Sequence, residues 1–197
     1  MSSSRCKDGK IAVSNTGCIR PTCVVGALNE AGDDGIVEQL SQRLGVDEIK
    51  ILAGQLPALF LWQKMQGEDE VVCRNAAWAL THKTDAEVAT LPQQPLIDFA
   101  MSTPWDSLRR LALQLISRQP MPQEAVRTDF LDFCLTHMVM LEEPVGVQSL
   151  CMKIAHHICS FYPELQHEFV ETLRLMHPEA YKPGVKYLIK KYLALYQ

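Results

Sequence analysis

Apolar and polar positions along this chain return in a common register, and four segments can be laid over one another. They are Arg74-Asn75-Ala76-Ala77-Trp78-Ala79-Leu80, Arg109-Arg110-Leu111-Ala112-Leu113-Gln114-Leu115, Gln148-Ser149-Leu150-Cys151-Met152-Lys153-Ile154 and Lys186-Tyr187-Leu188-Ile189-Lys190-Lys191-Tyr192, offset by 35, 39 and 38 residues. Each opens on a polar or basic residue and places small or apolar residues third, fourth and seventh. That spacing is helical, and its return at a nearly constant period marks a supersecondary unit that buries its apolar face against the next copy. Two buried rows are predicted: Ala77, Ala112, Cys151 and Ile189, and beside them Leu80, Leu115, Ile154 and Tyr192.

Helices are predicted throughout the remainder. Patterning starts near Asp34–Ile36 and runs to Leu44, where Gly45 stops it. Asp47 is expected to cap a second helix running towards Met65, with Pro57 kinking or interrupting it. Helices follow over Glu70–Lys83, Leu96–Met101, the segment started by Thr103-Pro104-Trp105-Asp106, Gln123–Met138, Pro144–Phe161, Pro163–Met176 and Pro183–Tyr196. Thr103 reads as a capping hydroxyl with proline at the first helical position, and Pro144, Pro163 and Pro183 read as first-turn prolines. Alternating strand patterns are absent, so the fold class is all-α, with about four to five helix pairs over 33–197. Residues 1–32 contain a run of serines, several glycines and no apolar periodicity, and they read as a tail or loosely packed lead-in.

Composition narrows the picture. Apolar residues make up 47% of the 197 positions, enough for a continuous core. No apolar run approaches the ~18 residues of a membrane span, and Arg5 and Lys7 are not followed by a signal-peptide stretch. A cytoplasmic protein without membrane contact is expected. The seven cysteines are odd in number, and Cys73, Cys134, Cys151 and Cys159 fall within apolar helical patterns, as reduced thiols acting as small hydrophobes would. The net charge of −4 gives no global attraction to nucleic acid.

The segment Asp69-Glu70-Val71-Val72-Cys73-Arg74-Asn75-Ala76-Ala77-Trp78-Ala79-Leu80 resembles the second helix of a HEAT repeat, with its acidic turn, apolar-Arg pair and Ala-Ala-x-Ala-Leu core. Leu108-Arg109-Arg110-Leu111-Ala112 matches well, whereas Val147-Gln148 and Val185-Lys186 keep the periodicity and lose the arginine. The resemblance, over about 48–197, implies a short right-handed α-α superhelix whose second helices line a concave face, in a family made mostly of binding scaffolds and less often of enzymes. On the register, the concave-face candidates are Arg74, Trp78, Arg109, Arg110, Gln114, Gln148, Lys153, His156, Lys186 and Lys190. Arg74 and Arg109 can instead bond to the acidic turn of an adjacent repeat and form a ladder. Trp78 can be an interface hot spot or an inter-helix core residue.

Other chemistry is thinly represented. His156-His157-x-Cys159 with Cys151 could converge two metal ligands, but no CxxC pair completes a zinc set. Cys6, Cys18 and Cys23 are too widely spaced for one. Gly32-Asp33-Asp34-Gly35 lacks the further ligands of a calcium loop, and Glu142-Glu143 before Pro144 reads as a solvated turn. There is no nucleophile elbow and no glycine-rich phosphate loop. No metal and no cofactor are expected. Lys182, Lys186 and Lys190, with Lys191, form a basic stripe on the last helix, either a solubilising end cap or a contact for an acidic partner. Finally, Trp105-Asp106-x-x-Arg109-Arg110 is similar to a motif of the HEAT-repeat alkylpurine DNA glycosylases, which implies a basic concave face and a pocket of aromatic and acidic groups. The negative net charge and incomplete basic face here depart from that pattern. The sequence therefore supports a non-catalytic scaffold binding another protein, with a nucleic-acid-binding enzyme as the alternative.

Overall fold

The computed structural model describes residues 30–196, with side chains from Gly35 onward. The predicted lead-in over 1–32 lies almost wholly outside the described residues, as do Cys6, Cys18 and Cys23. Eleven α-helices and no strand occur among the described residues. They are α1 (Glu30–Leu40), α2 (Val46–Gln55), α3 (Ala58–Met65), α4 (Glu70–Thr81), α5 (Asp85–Val88), α6 (Gln93–Ser102), α7 (Asp106–Ile116), α8 (Thr128–Val139), α9 (Val145–Cys159), α10 (Pro163–Leu175) and α11 (Pro183–Leu195).

Four successive pairs carry the fold: α3 with α4, α6 with α7, α8 with α9, and α10 with α11. The second helices pack in series, α4 on α7, α7 on α9 and α9 on α11, while α1 and α2 pack against α4. Both predicted rows are buried. Ala77, Ala112, Cys151 and Ile189 have no exposed surface, and Leu80, Leu115, Ile154 and Tyr192 are buried as well. Alanine and cysteine in the first row let neighbouring backbones approach, and the longer side chains of the second fill the space between layers.

Several helix ends differ from the sequence expectation. Gly45 does not end α1 but precedes α2, and Glu48, not Asp47, closes the start by accepting a bond from the Gly45 amide at 2.6 Å. Proline 57 interrupts rather than kinks: α2 ends at Gln55, and α3 begins after it. Helix α7 starts two residues later than expected, so Pro104 falls outside it and Thr103 is not its cap; Trp105 holds that place without a side-chain bond. Pro144 likewise precedes α9, whereas Pro163 and Pro183 do occupy first turns. The expected helix from Gln123 is broken into a 3-10 turn over Gln123–Ala125 and then α8, and the short α5 carries no apolar periodicity that could announce it.

Buried polar groups join the layers. Asn75 donates to the carbonyl oxygens of Leu40 and Gln42 at 2.8 and 2.9 Å, fixing the end of α1 to α4. Arg109 donates to Thr103 O at 2.9 Å and to Asp106 at 2.8 Å, and its guanidinium lies 3.8 Å from Glu143 in the acidic turn of the next repeat. Arg109 thus reaches the acidic turn of the next repeat as an ion pair and spends its hydrogen bonds on the start of its own helix. Arg74, at the equivalent position, makes no such pair with any described residue.

Candidate functional site

The second helices turn one side toward their partners and the opposite side to solvent, and charge follows that division. Helices α9 and α11 contain no carboxylate, and α4 and α7 carry an acid only at their first residue, Glu70 and Asp106. Among the first helices α8 and α10 reverse the balance, with Asp129 and Asp132 on α8 and Glu164, Glu168 and Glu171 on α10, whereas α3 holds Lys64 and no carboxylate. A chain of net charge −4 thus presents a basic front on its second helices.

The ten sequence candidates divide sharply on this front. Arg110 and Lys153 are exposed and Gln114 is half-buried beside them, on the adjacent helices α7 and α9. The Arg110 stem crosses the start of α9 at Gly146, where a Cβ would stand 2.6 Å from Arg110 Cδ. Glycine at this position permits the close crossing. Gln148 is buried and donates to Met140 O at 2.6 Å, and Arg109 lies in the seam described above. Both are internal supports. Trp78 is half-buried against the core with the His82 ring 6.4 Å away, and Lys186 pairs with Glu179. Lys190 is exposed on α11, remote in sequence from the α7 and α9 candidates.

Between α7 and α9 the front carries a cavity of about 860 Å³, against about 470 and 360 Å³ for two other hollows. Its walls are Ile116, Pro120, Met121, Pro122, Ile154 and Phe161, and Ser117, Gln119, Lys153 and His157 supply the polar groups. The loop forming one wall is pinned to the preceding repeat. Arg118 donates to the carbonyls of Thr81 and Lys83 at 2.8 and 2.5 Å and to Asp85 at 2.8 Å, so it caps the end of α4. Gln119 spends both amide hydrogens on Val88 O and Leu91 O, each at 3.0 Å, and Gln93 donates to Pro120 O at 3.0 Å. His157 Nε2 lies 3.3 Å from Met121 O. Of the lining residues only Lys153 is among the sequence candidates. Ile154 belongs to the second predicted row, and the rest lie on a loop or near helix ends, where periodicity does not mark them.

The carboxylates displaced from ordinary behaviour are all displaced downward: Glu87 is held at about 2 by hydrogen bonds from Lys83 and Thr84, Asp129 is lowered by Arg127, and Glu179 by Lys186. A carboxylic acid for proton transfer at neutral pH needs the opposite shift. Asp106, beside Trp105, is exposed and paired with Arg109. Cys73, Cys134, Cys151 and Cys159 are unpaired and buried; burial raises the thiol pKa of Cys73 and Cys134 and lifts Cys159 to about 11, which disfavours the reactive thiolate. No group of three or more His, Cys, Asp or Glu among the described residues is arranged to hold a metal ion.

His156 serves the last repeat instead. Its Nε2 lies 2.8 Å from the Tyr196 hydroxyl, and its ring stacks on Tyr192 with centroids 4.4 Å apart. Burial, with His157 and Lys191 nearby, lowers its pKa below the ordinary imidazole value. Its folded pKa therefore lies below the unfolded one, so its contribution is complete above about pH 6.5 and is lost as pH falls from there through the folded value. Urea titrations at pH 7.5 and 5.5 should show wild type losing more stability on acidification than His156→Gln. Equal losses would remove His156 as the source.

No helix of the described residues is long and apolar enough to cross a membrane. No curated protein and no solved structure matches the chain. The model of the HEAT repeat domain matches residues 36–195, the span over which the paired helices and both buried rows are found. The chain belongs to the HEAT repeat family.

Proposed function

We propose that this HEAT repeat protein is a non-catalytic scaffold that presents the exposed front of its second helices, the concave side in a HEAT-type superhelix, to another protein. The observation that carries this reading is the segregation of charge. Lys153 of α9 borders an apolar cavity and Arg110 of α7 lies exposed further along the same pair of helices, at Gly146, and neither helix holds a carboxylate beyond Asp106, which Arg109 engages. Solvent-exposed cations beside an apolar recess suit recognition, because the recess supplies burial and the charges supply orientation and encounter rate. Arg110, Gln114 and Lys153 form the centre of the proposed surface, with Arg74 and Lys190 towards its two ends. The unpaired, buried cysteines support a reducing compartment, and we place the protein in the cytoplasm.

The test is affinity capture from the native source with quantitative mass spectrometry, using wild type and an Arg110→Glu/Lys153→Glu variant of unchanged melting behaviour. Proteins retained by wild type and lost by the variant are expected. Identical captures would reject the front as the binding surface. The nucleic-acid reading is tested by anisotropy with duplex DNA at two salt concentrations. Binding at or weaker than ~10⁻⁴ M is expected, the weak end of the non-specific range. Micromolar binding with a steep salt slope, weakened by changing the exposed Arg110 and Lys153 to Ala, would favour that reading.

A further inference from the structure

The chemistry of the partner can be read from the seam between α7 and α9. We infer that this seam docks an acidic peptide segment of another protein, with an aliphatic or aromatic side chain entering the cavity and flanking carboxylates meeting Lys153 and Arg110. The inference rests on the scaffold reading above and narrows it to one kind of ligand.

The cavity volume of about 860 Å³ lies within the range of sites that enclose small ligands. Ile116 and Ile154 in its lining are buried, and Pro120, Met121, Pro122 and Phe161 complete the apolar walls of a hollow that is open to solvent. An anchor of matching character must therefore be apolar. The rim selects the neighbours of that anchor. Lys153 lines the opening, has no ion pair or hydrogen bond with any described residue, and projects from a helix that holds no carboxylate. Arg110 stands on the facing helix and is likewise unpaired, with its stem across Gly146. Both cations therefore meet incoming carboxylates without first breaking an internal pair.

Shape is set in advance as well. The two residues before Pro120 are committed to the preceding repeat, Arg118 through Asp85 and two helix-end carbonyls and Gln119 through Val88 and Leu91. The cavity wall is thus fixed before any ligand arrives, which reduces the ordering cost of binding. A nucleic acid backbone fits the same place poorly. Its affinity comes from many phosphate contacts to a basic surface, whereas here a single lysine, Lys153, borders an apolar recess in a chain of net charge −4.

The probe is a set of short fluorescein-labelled peptides with a central Leu or Phe between pairs of Asp or Glu, titrated by anisotropy into the full chain. Saturable binding that weakens with salt is expected, with methyl NMR shifts confined to Ile116, Met121 and Ile154. Replacing the central residue by Ala, or Lys153 by Glu, should each weaken binding about tenfold or more. Lys153→Gln gives the same direction with a smaller effect, and Ser117→Phe, which places a ring at the cavity mouth, should block binding while the circular dichroism melt is unchanged. Lysine-substituted peptides should not bind, and duplex DNA should not displace the acidic ones. Equal binding of the lysine peptides, displacement by DNA, shifts outside the seam, indifference to both Lys153→Glu and Ser117→Phe, or no binding by any acidic peptide would each overturn the assignment. If the peptides fail while cellular capture remains sensitive to Arg110 and Lys153, the ligand class is wrong and the scaffold reading stands. If capture is insensitive to those residues, the scaffold reading itself fails.

Discussion

Leu115→Ala is expected to cost ~2–5 kcal/mol, the range for removing a large aliphatic side chain from a core that relaxes only in part. Leu115 has no exposed surface and sits on α7, the helix that packs against its own partner α6 and against both α4 and α9. Urea unfolding should show a lower midpoint with an unchanged slope, since the surface exposed on unfolding is nearly the same. Gln114→Ala, one residue away and half-buried on the front, serves as the control and should be close to neutral. A loss below about 1 kcal/mol for Leu115→Ala would mean that the second row does not carry the stack.

Arg109→Met should be nearly as damaging, for an electrostatic reason. Glu143 is 9% exposed, and Arg109 and His137 are the two groups that answer its charge. His137 Nδ1 lies 2.6 Å from the carboxylate, Arg109 lies 3.8 Å away, and Glu143 Oε2 and Arg109 Nε have no protein partner. Removing Arg109 leaves the Glu143 carboxylate with His137 as its one remaining partner and takes away the bond to Thr103 O, at a cost of about 1–3 kcal/mol. The bond from Arg109 to the exposed Asp106 adds little, because solvent screens it. Adding Glu143→Gln to Arg109→Met should restore part of the loss, because no buried charge is then left uncompensated. Strictly additive effects, or a single-variant loss below about 1 kcal/mol, would show that the ion pair between repeats two and three is not coupled.

Much of the architecture was legible from residue spacing. The register linking Ala77, Ala112, Cys151 and Ile189 required no structure, because helical periodicity fixes which residues share a face and a recurring period fixes which faces meet. Helix ends were harder to read. Gly45 serves equally well after one helix or before another, and the choice depends on Glu48 reaching back to its amide. Thr103 and Pro104 carry a start signal, yet the chain turns only at Trp105. Such signals are short, and the surrounding packing overrides them.

The candidate site divides in the same way. Arg109 and Arg110 are adjacent and chemically identical, and the sequence assigns both to one face. About 100° of rotation separates neighbouring helical residues, which sends Arg109 into the seam towards Glu143 and Arg110 out across Gly146. Gln148 and Lys153 separate likewise, one bonded inward to Met140 and the other left in solvent at the cavity rim. The sequence by itself determined that repeated helices carry cations on their second members, because charge and period are properties of the chain. Tertiary structure alone decided which cations are consumed within the fold and where an apolar recess opens beside the rest. That recess is built by Pro120, Met121, Pro122 and Phe161 outside the regular helices, held in place by Arg118 and Gln119, and contacts between repeats leave no mark on local periodicity.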